Sequence, residues 1–171
     1  MRKKLENIQM LLLDVDGVMT DGRIIYDAHG VEIKFFNVKD GHGIKLLQRY
    51  GIRVGIITAR TSAVVDIRAR ELGIDLVYQG AMKKLDSYED AKQKTGLEDH
   101  QIAYVGDDLI DVSIIRRVGF SAAPSDSLPE VLASVDFVSA HCGGKGAVRE
   151  VCDLILKGRG FWDQVKAQYE L

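Results

Sequence analysis

The 171-residue sequence is poor in cysteine, which occurs only as Cys142 and Cys152. A chain of this length can bury a substantial core without disulfides, so both residues are interpreted as reduced thiols of a cytoplasmic protein. Long hydrophobic runs are also missing. The first apolar run stops at Asp14, which makes it too short for a signal peptide or a membrane span. We therefore expect a single domain over residues 1–171 that does not enter a membrane.

Neither sign of charge dominates the sequence. It has 23 basic residues against 25 acidic ones, for a net charge of −2. This balance argues against a nucleic acid or an anionic membrane surface as a partner, although it leaves room for a local basic pocket.

Apolar segments alternate with amphipathic segments along the chain. The predicted strands are residues 10–15, 52–58, 76–78, 102–105, 120–122 and 137–138, and the predicted helices are residues 44–50, 62–72, 85–95, 109–118 and 148–157. Alternation of this kind is typical of βαβ units. The sequence therefore predicts an α/β fold with a Rossmann-like parallel sheet and helices on both faces.

One insertion, at about residues 23–38, breaks the alternation. It is predicted to be a β-hairpin with strands at residues 23–26 and 31–38, joined by a turn in which Gly30 has a positive φ. Both faces of this hairpin carry large apolar side chains, and such a ribbon is unstable alone. We expect it to pair with other copies of the chain, the alternative being that it folds onto its own domain. The tail, at about residues 158–171, contains Phe161 and Trp162, which are also expected to dock on a neighbour.

The segment DVDGVMTDG, which begins at Asp14, is the most informative motif. It follows the first predicted strand, so Asp14 and Asp16 are expected where a buried strand ends. Two carboxylates at this spacing can share one divalent cation while one of them acts as a nucleophile. Gly17 allows a sharp turn and a close approach of the backbone to a ligand. An acidic turn without function is the alternative for so short a motif.

Further polar side chains follow the next three predicted strands. In chain order they are Thr58, Arg60, Lys84, Asp107, Asp108 and Asp111. Because ligands of parallel sheets bind beyond the carboxyl ends of the strands, these side chains are expected at one site with Asp14.

In order and spacing, these residues resemble the four motifs of the haloacid dehalogenase superfamily of phosphotransferases. The matching segments are DVDG, the threonine of IITAR, Lys84 and GDD. The resemblance implies that Asp14 attacks phosphorus and becomes an aspartyl phosphate. It implies that Asp16 protonates the leaving alcohol and then accepts a proton from water. Thr58 and Lys84 would hold phosphoryl oxygens.

The same resemblance implies Mg²⁺ as the cofactor. Asp14, the carbonyl of Asp16, and Asp107 would bind the ion, and Asp108 would act through a bound water molecule. The chemistry agrees, because an anionic nucleophile that approaches an anionic phosphate needs a cation and fixed donors. Oxygen ligands alone do not distinguish Mg²⁺ from Mn²⁺ or Co²⁺.

The sequence leaves no room for a separate cap domain over this site. The intervals between Asp16, Thr58, Lys84 and Asp107 are filled by the predicted hairpin, helices and strands. Either the site is open to a macromolecular substrate, or a neighbouring subunit closes it over a small one. The apolar hairpin favours the second arrangement.

A narrower resemblance, nearly end to end, is to the family of 3-deoxy-D-manno-octulosonate 8-phosphate (KDO 8-phosphate) phosphatases. It rests on the capless core, the hairpin, NVKDGHGI and GGKGAVREV. It implies hydrolysis of KDO 8-phosphate in lipopolysaccharide precursor biosynthesis, by a homotetramer that assembles through the hairpin. The implied substrate contacts are Asn37, Val38, Lys39, Asp40, Gly41, Arg60, Arg68 and Lys84, with Lys145 and Arg149 as further candidates. Cationic side chains suit a substrate that carries a carboxylate and a phosphate.

Two alternative functions use similar residue types. A phosphatase for a related nine-carbon acid sugar phosphate, or for another sugar phosphate, would share every catalytic residue. A signalling receiver domain also gathers Asp, Thr and Lys at strand ends. It places its acidic pair on the first strand and its phosphorylated Asp on a later one, and this sequence has the reverse order.

Overall fold

The computed structural model describes residues 2–170, which include a six-stranded parallel sheet and a two-stranded antiparallel hairpin. The sheet contains β1 (Met10–Leu13), β4 (Arg53–Ile57), β5 (Leu76–Tyr78), β6 (Ile102–Val105), β7 (Phe120–Ala123) and β8 (Phe137–Val138), and the hairpin contains β2 (Ile25–Tyr26) and β3 (Glu32–Ile33). The order across the sheet is β5-β4-β1-β6-β7-β8, and all neighbours are parallel. This doubly wound order confirms the predicted α/β fold. It differs from the flavodoxin-like order of receiver domains, so the receiver alternative is wrong.

Strand β1 lies at the centre of the sheet and divides the core. Its four side chains are completely buried, as expected for a continuous apolar run between two parallel neighbours. Leu11 and Leu13 belong to the hydrophobic cluster on one face, and Met10 and Leu12 to the cluster on the other. Asp14 follows this rigid strand directly, so its position is fixed by the core.

Helices cover both faces of the sheet. They are α1 (Arg2–Leu5), α2 (Val38–Arg49), α3 (Ala63–Leu72), α4 (Lys84–Thr95), α5 (Val112–Ile115), α6 (Pro129–Leu132), α7 (Ala147–Gly158) and α8 (Trp162–Gln168), with 3₁₀ helices at Asp99–Gln101 and Leu109–Asp111. Helices α3, α4 and α7 agree with the predictions to within one residue at each end. The predicted helix at residues 109–118 is instead a 3₁₀ turn followed by the short α5. No described helix is long and apolar enough to cross a membrane.

Helix α2 begins at Val38, six residues earlier than the predicted start at residue 44. Asn37 caps the helix, because its Oδ1 accepts a hydrogen bond from the N–H of Lys39 at 2.8 Å. Glycine conceals this start in the sequence, since glycine is a poor helix former. Gly43 is needed for packing: a Cβ there would lie 2.9 Å from Cδ of Arg149 on α7.

The hairpin is present but shorter than predicted, with only two residues in each strand. Asp27 closes its turn by accepting hydrogen bonds from the N–H groups of His29 and Val31, both at 2.8 Å. Its exposed apolar side chains are Ile24, Tyr26, Val31, Ile33 and Phe35. Phe36 instead packs against the core of its own domain. The hairpin is therefore anchored at its base and presents an apolar outer surface.

The C-terminal segment packs on its own domain. Phe161 and Trp162 contact the core, and the ring of Phe161 stacks on that of Tyr50 with 5.2 Å between the ring centres. Both rings are only partly buried by these contacts, so docking of their exposed parts on a neighbour stays a prediction.

Candidate active site

Asp14 lies where the central strand β1 leaves the sheet. Its backbone N–H donates to the carbonyl of Val105 at 3.0 Å, which fixes it beside the end of β6. Its Oδ1 accepts a hydrogen bond from the N–H of Val15 at 2.7 Å, and its Oδ2 lies 2.9 Å from Nζ of Lys84. Burial raises the pKa of Asp14 to about 6, although Lys84 opposes this shift. A buried carboxylate with a fixed cation beside it suits a nucleophile that must approach an anionic phosphate.

Lys84, the first residue of α4, is held in place by Asp111. The Lys84 side chain is only 1% exposed, and its Nζ lies 2.6 Å from Oδ1 of Asp111. Tyr104 donates its hydroxyl to the same oxygen at 2.5 Å. Burial opposes the charge of Lys84, but Asp14 and Asp111 outweigh it and raise the pKa of the ammonium group. Lys84 therefore stays charged beside Asp14.

The other oxygen of Asp111 shapes the loop after β6. Its Oδ2 accepts the N–H groups of Asp107 at 3.0 Å and Asp108 at 3.1 Å. Gly106 provides the space, since a Cβ there would lie 2.4 Å from Cγ of Asp111. The sequence motifs assign Asp111 no role of its own. In the sequence, an acidic residue four positions after Asp107, as in GDDLID, is the feature that indicates a carboxylate able to accept hydrogen bonds from the N–H groups of this loop.

Asp14, Asp107 and Asp111 form a cluster of acidic side chains, with one oxygen of each lying within 4.8 Å of the others. Oδ1 of Asp107 is buried, and no described residue donates a hydrogen bond to it. Burial, together with Asp14 and Asp111, raises the pKa of Asp107 to about 8. A buried carboxylate oxygen without a donor fits a hard cation such as Mg²⁺. Each oxygen of Asp111 already has two donors, whereas each oxygen of Asp14 has one and Oδ1 of Asp107 has none, so Asp14 and Asp107 are the side chains available to hold the ion.

The backbone of Gly17 lies in close contact with the side chain of Asp107. Its φ is +90°, and a Cβ at this position would lie 2.1 Å from Oδ2 of Asp107. Glycine is therefore required for the DVDG loop and the GDD loop to meet.

Asp16 and Asp108, the other two residues predicted at the metal, place their side chains outside this cluster. The carboxylate of Asp16 forms an ion pair with Lys34 and lies 3.6 Å from Nε of Arg60. Asp108 is exposed, and its Oδ1 accepts the N–H of Leu109 at 2.5 Å. A contribution of Asp16 through its carbonyl and of Asp108 through water stays a prediction.

Thr58 lies at the same edge of the sheet as Asp14. It is buried directly after β4, which is paired with β1, and its N–H donates to the carbonyl of Tyr78 at 2.9 Å. The ends of β1, β4 and β6 therefore bring Thr58, Asp14 and Asp107 to one edge, as the sequence predicted.

The segment from Asn37 to Gly41 joins the start of α2 to the start of α7. Nδ2 of Asn37 donates to the carbonyl of Gly144 at 3.3 Å, and Asp40 is buried and accepts the N–H of Arg149 at 2.8 Å. Gly144 in turn donates its N–H to the carbonyl of Val18, in the loop after Asp14, at 3.0 Å. The contacts of Asn37 and Asp40 position neighbouring backbone, and any contact with substrate stays a prediction.

Several charged side chains line a cavity of about 370 Å³ beside this segment. They are Lys39, Lys145, Arg149, Glu150, Asp153 and Lys157.

Two other predicted substrate contacts do not line this cavity. Val38 is 80% exposed. Arg68 places its guanidinium 5.5 Å from the ring centre of Phe36 and forms an ion pair with Glu71 at 3.2 Å. Arg68 therefore packs beneath the hairpin.

Known proteins share both the sequence and the fold of this chain. The KDO 8-phosphate phosphatase KdsC of Escherichia coli K12 is 46% identical over 165 residues, which cover 96% of this chain and 88% of the relative. A crystal structure of the KDO 8-phosphate phosphatase from Moraxella catarrhalis, in complex with magnesium, phosphate and KDO, superposes with a TM-score of 0.96 at 42% identity, and covers 98% of this chain and 97% of its own. A structure from Legionella pneumophila, described as a subfamily III A hydrolase of the haloacid dehalogenase (HAD) superfamily, has a TM-score of 0.95 at 44% identity, with 98% and 92% covered. No protein-family model matches.

The sheet order, the Asp14–Lys84 pair and the acidic cluster place this chain in the haloacid dehalogenase superfamily of hydrolases. Identity of 46% over nearly the whole chain narrows the assignment. The chain belongs to the KDO 8-phosphate phosphatase family.

Proposed function

We propose that this chain is a Mg²⁺-dependent phosphatase that hydrolyses KDO 8-phosphate to KDO and inorganic phosphate. The observation that carries the proposal is the position of Asp14. Its buried carboxylate lies beside the ammonium group of Lys84 and belongs to the same acidic cluster as Asp107, which has an unpartnered oxygen. The relative solved with magnesium, phosphate and KDO supports the choice of metal and substrate.

In the first half of the reaction, Asp14 attacks phosphorus, and the bond to the sugar oxygen breaks. Mg²⁺, held by Asp14 and Asp107, supplies positive charge that reduces the repulsion between two anions. Lys84 and Thr58 bind phosphoryl oxygens and keep the phosphorus in line with the attacking carboxylate. Asp16 donates a proton to the departing sugar oxygen, so KDO leaves as a neutral alcohol at that position.

In the second half, water attacks the aspartyl phosphate. Asp16, now a carboxylate, takes a proton from this water, and Asp14 is released together with inorganic phosphate.

The loop that carries Asp16 is held by a backbone contact. The carbonyl of Val18, two residues after Asp16, accepts the hydrogen bond from the N–H of Gly144, which holds this loop against the GGKG segment.

For substrate recognition, we propose residues 37–41, Arg60, Arg68 and Lys84, with Lys145 and Arg149 as further contacts. The cationic cavity beside the start of α7 supports this proposal, since a sugar acid carries a carboxylate in addition to its phosphate. Lys39, Lys145 and Arg149 are the lining side chains that are suited to the carboxylate.

We also propose that four copies assemble through the hairpin and close each other's sites. The hairpin presents five exposed apolar side chains, of which Phe35 is 62% exposed and Val31 58% exposed. An apolar surface of this kind on a short ribbon is typical of a protein interface. The hairpin also contacts Asp16 through Lys34, so a copy that packs on the hairpin would lie close to the catalytic edge.

We further propose that the chain acts as a single phosphatase domain in the cytoplasm, in lipopolysaccharide precursor biosynthesis. Its two cysteines, Cys142 and Cys152, are both free thiols, which suits a reducing compartment.

The nucleophile can be tested by trapping the phosphorylated protein. With p-nitrophenyl phosphate and Mg²⁺, Asp16→Asn should release about one equivalent of nitrophenol rapidly and then stall, because the second half-reaction lacks its base. Intact-mass and peptide spectrometry should locate one phosphoryl group on Asp14. Asp14→Asn is the matched control and should show neither burst nor added mass. A burst that persists in Asp14→Asn would contradict the proposed mechanism.

A further inference from the structure

Four charged side chains, one of which is the predicted acid/base residue Asp16, connect the hairpin to the edge of the sheet. Lys34, just beyond β3, forms an ion pair with Oδ1 of Asp16 and lies 3.4 Å from Oε1 of Glu32. Nη2 of Arg60 lies 2.8 Å from the same Glu32 oxygen, and its Nε lies 3.6 Å from Oδ2 of Asp16. The other Glu32 oxygen accepts the hydroxyl hydrogen bond of Ser62. Two of the four charges belong to the hairpin and two to the edge of the sheet.

The burial of Lys34 makes this connection specific. Its side chain is only 1% exposed, although five apolar side chains of the same hairpin are exposed to solvent. A buried ammonium group without an anionic partner is costly, and among residues 2–170 its carboxylate partners are Asp16 and Glu32. Lys34 therefore cannot leave Asp16 without losing most of its compensation.

To act as a general acid, Asp16 must hold its carboxyl group in one defined orientation. A general acid must place its proton within hydrogen-bond distance of the leaving oxygen, and a carboxylate on a loop has two freely rotating bonds. Lys34 holds one oxygen of this carboxylate while Arg60 lies near the other. Glu32 in turn holds both cations.

We infer that Lys34 and Glu32 are positioning residues that aim the carboxylate of Asp16 at the leaving group, so that seating of the hairpin prepares the general acid. This inference rests on the proposed function. The sequence motifs single out neither residue. The alternation of polar Glu32 and Lys34 with apolar Val31, Ile33 and Phe35 is the signal that both polar residues share one side of the extended segment.

The dependence of the rate on the leaving group tests the inference. p-Nitrophenyl phosphate has a leaving group that needs little protonation, whereas an alkyl phosphate such as glycerol phosphate needs a general acid. We compare single-turnover rates of alcohol release, which report the first half-reaction alone, before Asp16 acts as a base. For Lys34→Met we expect this rate on the alkyl phosphate to fall about 10- to 100-fold, and on the nitrophenyl ester to fall less than about threefold. Lys34→Arg should restore most of the alkyl rate, and Glu32→Gln should show the same selectivity as Lys34→Met with a smaller loss.

A double-variant cycle with Asp16→Asn provides the second readout. If Lys34 acts through Asp16, then Lys34→Met should not slow Asp16→Asn any further on the alkyl phosphate. Arg23→Met, which removes an exposed cation from the same insertion, is the matched control and should leave both rates unchanged. Equal losses on both esters, or full additivity with Asp16→Asn, would overturn the inference. Should Lys34→Met fail to fold, Glu32→Gln and Lys34→Arg carry the same comparison.

Failure of the inference can be separated from failure of the proposed function. Release of phosphate from KDO 8-phosphate by the wild-type protein, and its absence in Asp14→Asn, report on the function alone. If these hold while Lys34→Met shows no leaving-group selectivity, only the positioning role is wrong.

Discussion

Replacing Asp107 by asparagine should stabilise the metal-free protein. The carboxylate of Asp107 is placed where burial and two other carboxylates raise its pKa from 3.8 to about 8. A carboxyl group whose pKa is raised on folding binds its proton more tightly in the native state, so its contribution to stability falls as the pH rises from about 4 to about 8. The amide of the variant would keep the shape of the side chain and remove this dependence.

The size of the effect follows from the same pKa. A difference of one pKa unit between the folded and unfolded states corresponds to about 1.4 kcal/mol. At pH 7.5, Asp107 would therefore lower the free energy of unfolding by about 5 kcal/mol. Solvent that reaches the loop reduces this loss to roughly 2–4 kcal/mol. For a domain of this length, the melting temperature should rise by about 5–12 °C. At pH 5 the gain should shrink below about 2 kcal/mol, because this pH lies little more than one unit above 3.8, the pKa of the carboxyl group in the unfolded chain.

Thermal unfolding in chelator and in Mg²⁺ provides the assay. In chelator at pH 7.5, Asp107→Asn should melt above the wild type, and excess Mg²⁺ should raise the melting temperature of the wild type much more than that of the variant. Asp136→Asn is the matched control with the opposite sign. Burial alone would raise the pKa of Asp136, but hydrogen bonds from Lys4 and Ser121 lower it, so its removal should destabilise the protein. A variant at position 107 that melts below the wild type in chelator would refute the reasoning about the cluster.

Three other outcomes follow from the same contacts. Chelation should remove activity reversibly. Calorimetric titrations should show weaker Mg²⁺ binding as the pH falls from 8 to 6, because protons compete with the ion first for Asp107 and then for Asp14. An Mg²⁺ affinity that does not change over this pH range would contradict this. Gly17→Ala should lose at least about tenfold in Mg²⁺ affinity, since its methyl group would collide with Asp107, and a variant with normal affinity would show that the loops need not touch. Val31→Lys with Phe35→Lys should dissociate the proposed tetramer in light scattering and reduce efficiency on KDO 8-phosphate more than on p-nitrophenyl phosphate; a fully active monomer would argue for an open site.

The sheet and its catalytic edge are predictable from the sequence for a physical reason. Buried parallel strands are continuous apolar runs, so Met10–Leu13 and Ile102–Val105 are recognisable without any tertiary information, and the polar residues after them must meet at one edge. This is why the order of residues along the chain is enough to place Asp14, Thr58 and Asp107 together.

The features that escape prediction depend on tertiary contacts. The start of α2 is hidden because glycines are poor helix formers, whereas contact with α7 and the Asn37 cap outweigh that preference. In the sequence, Asp111 resembles one more acid in a helical turn, and only the fold brings Lys84 and the loop N–H groups to it. The apolar side chains of the hairpin predict an interface, but the sequence pattern cannot show that Phe36, at the base of the hairpin, packs on the core of its own domain.

Phosphate release from a panel of acid sugar phosphates tests the central proposal most directly. The panel should contain KDO 8-phosphate, a nine-carbon acid sugar 9-phosphate, and neutral sugar phosphates of similar size, each with Mg²⁺, with Asp14→Asn as the blank. We expect the highest kcat/KM on KDO 8-phosphate, and activity on neutral sugar phosphates at least about tenfold lower, because they lack the carboxylate that the cationic cavity is proposed to bind. A higher kcat/KM on the nine-carbon substrate, or on a neutral sugar phosphate, would contradict the assignment.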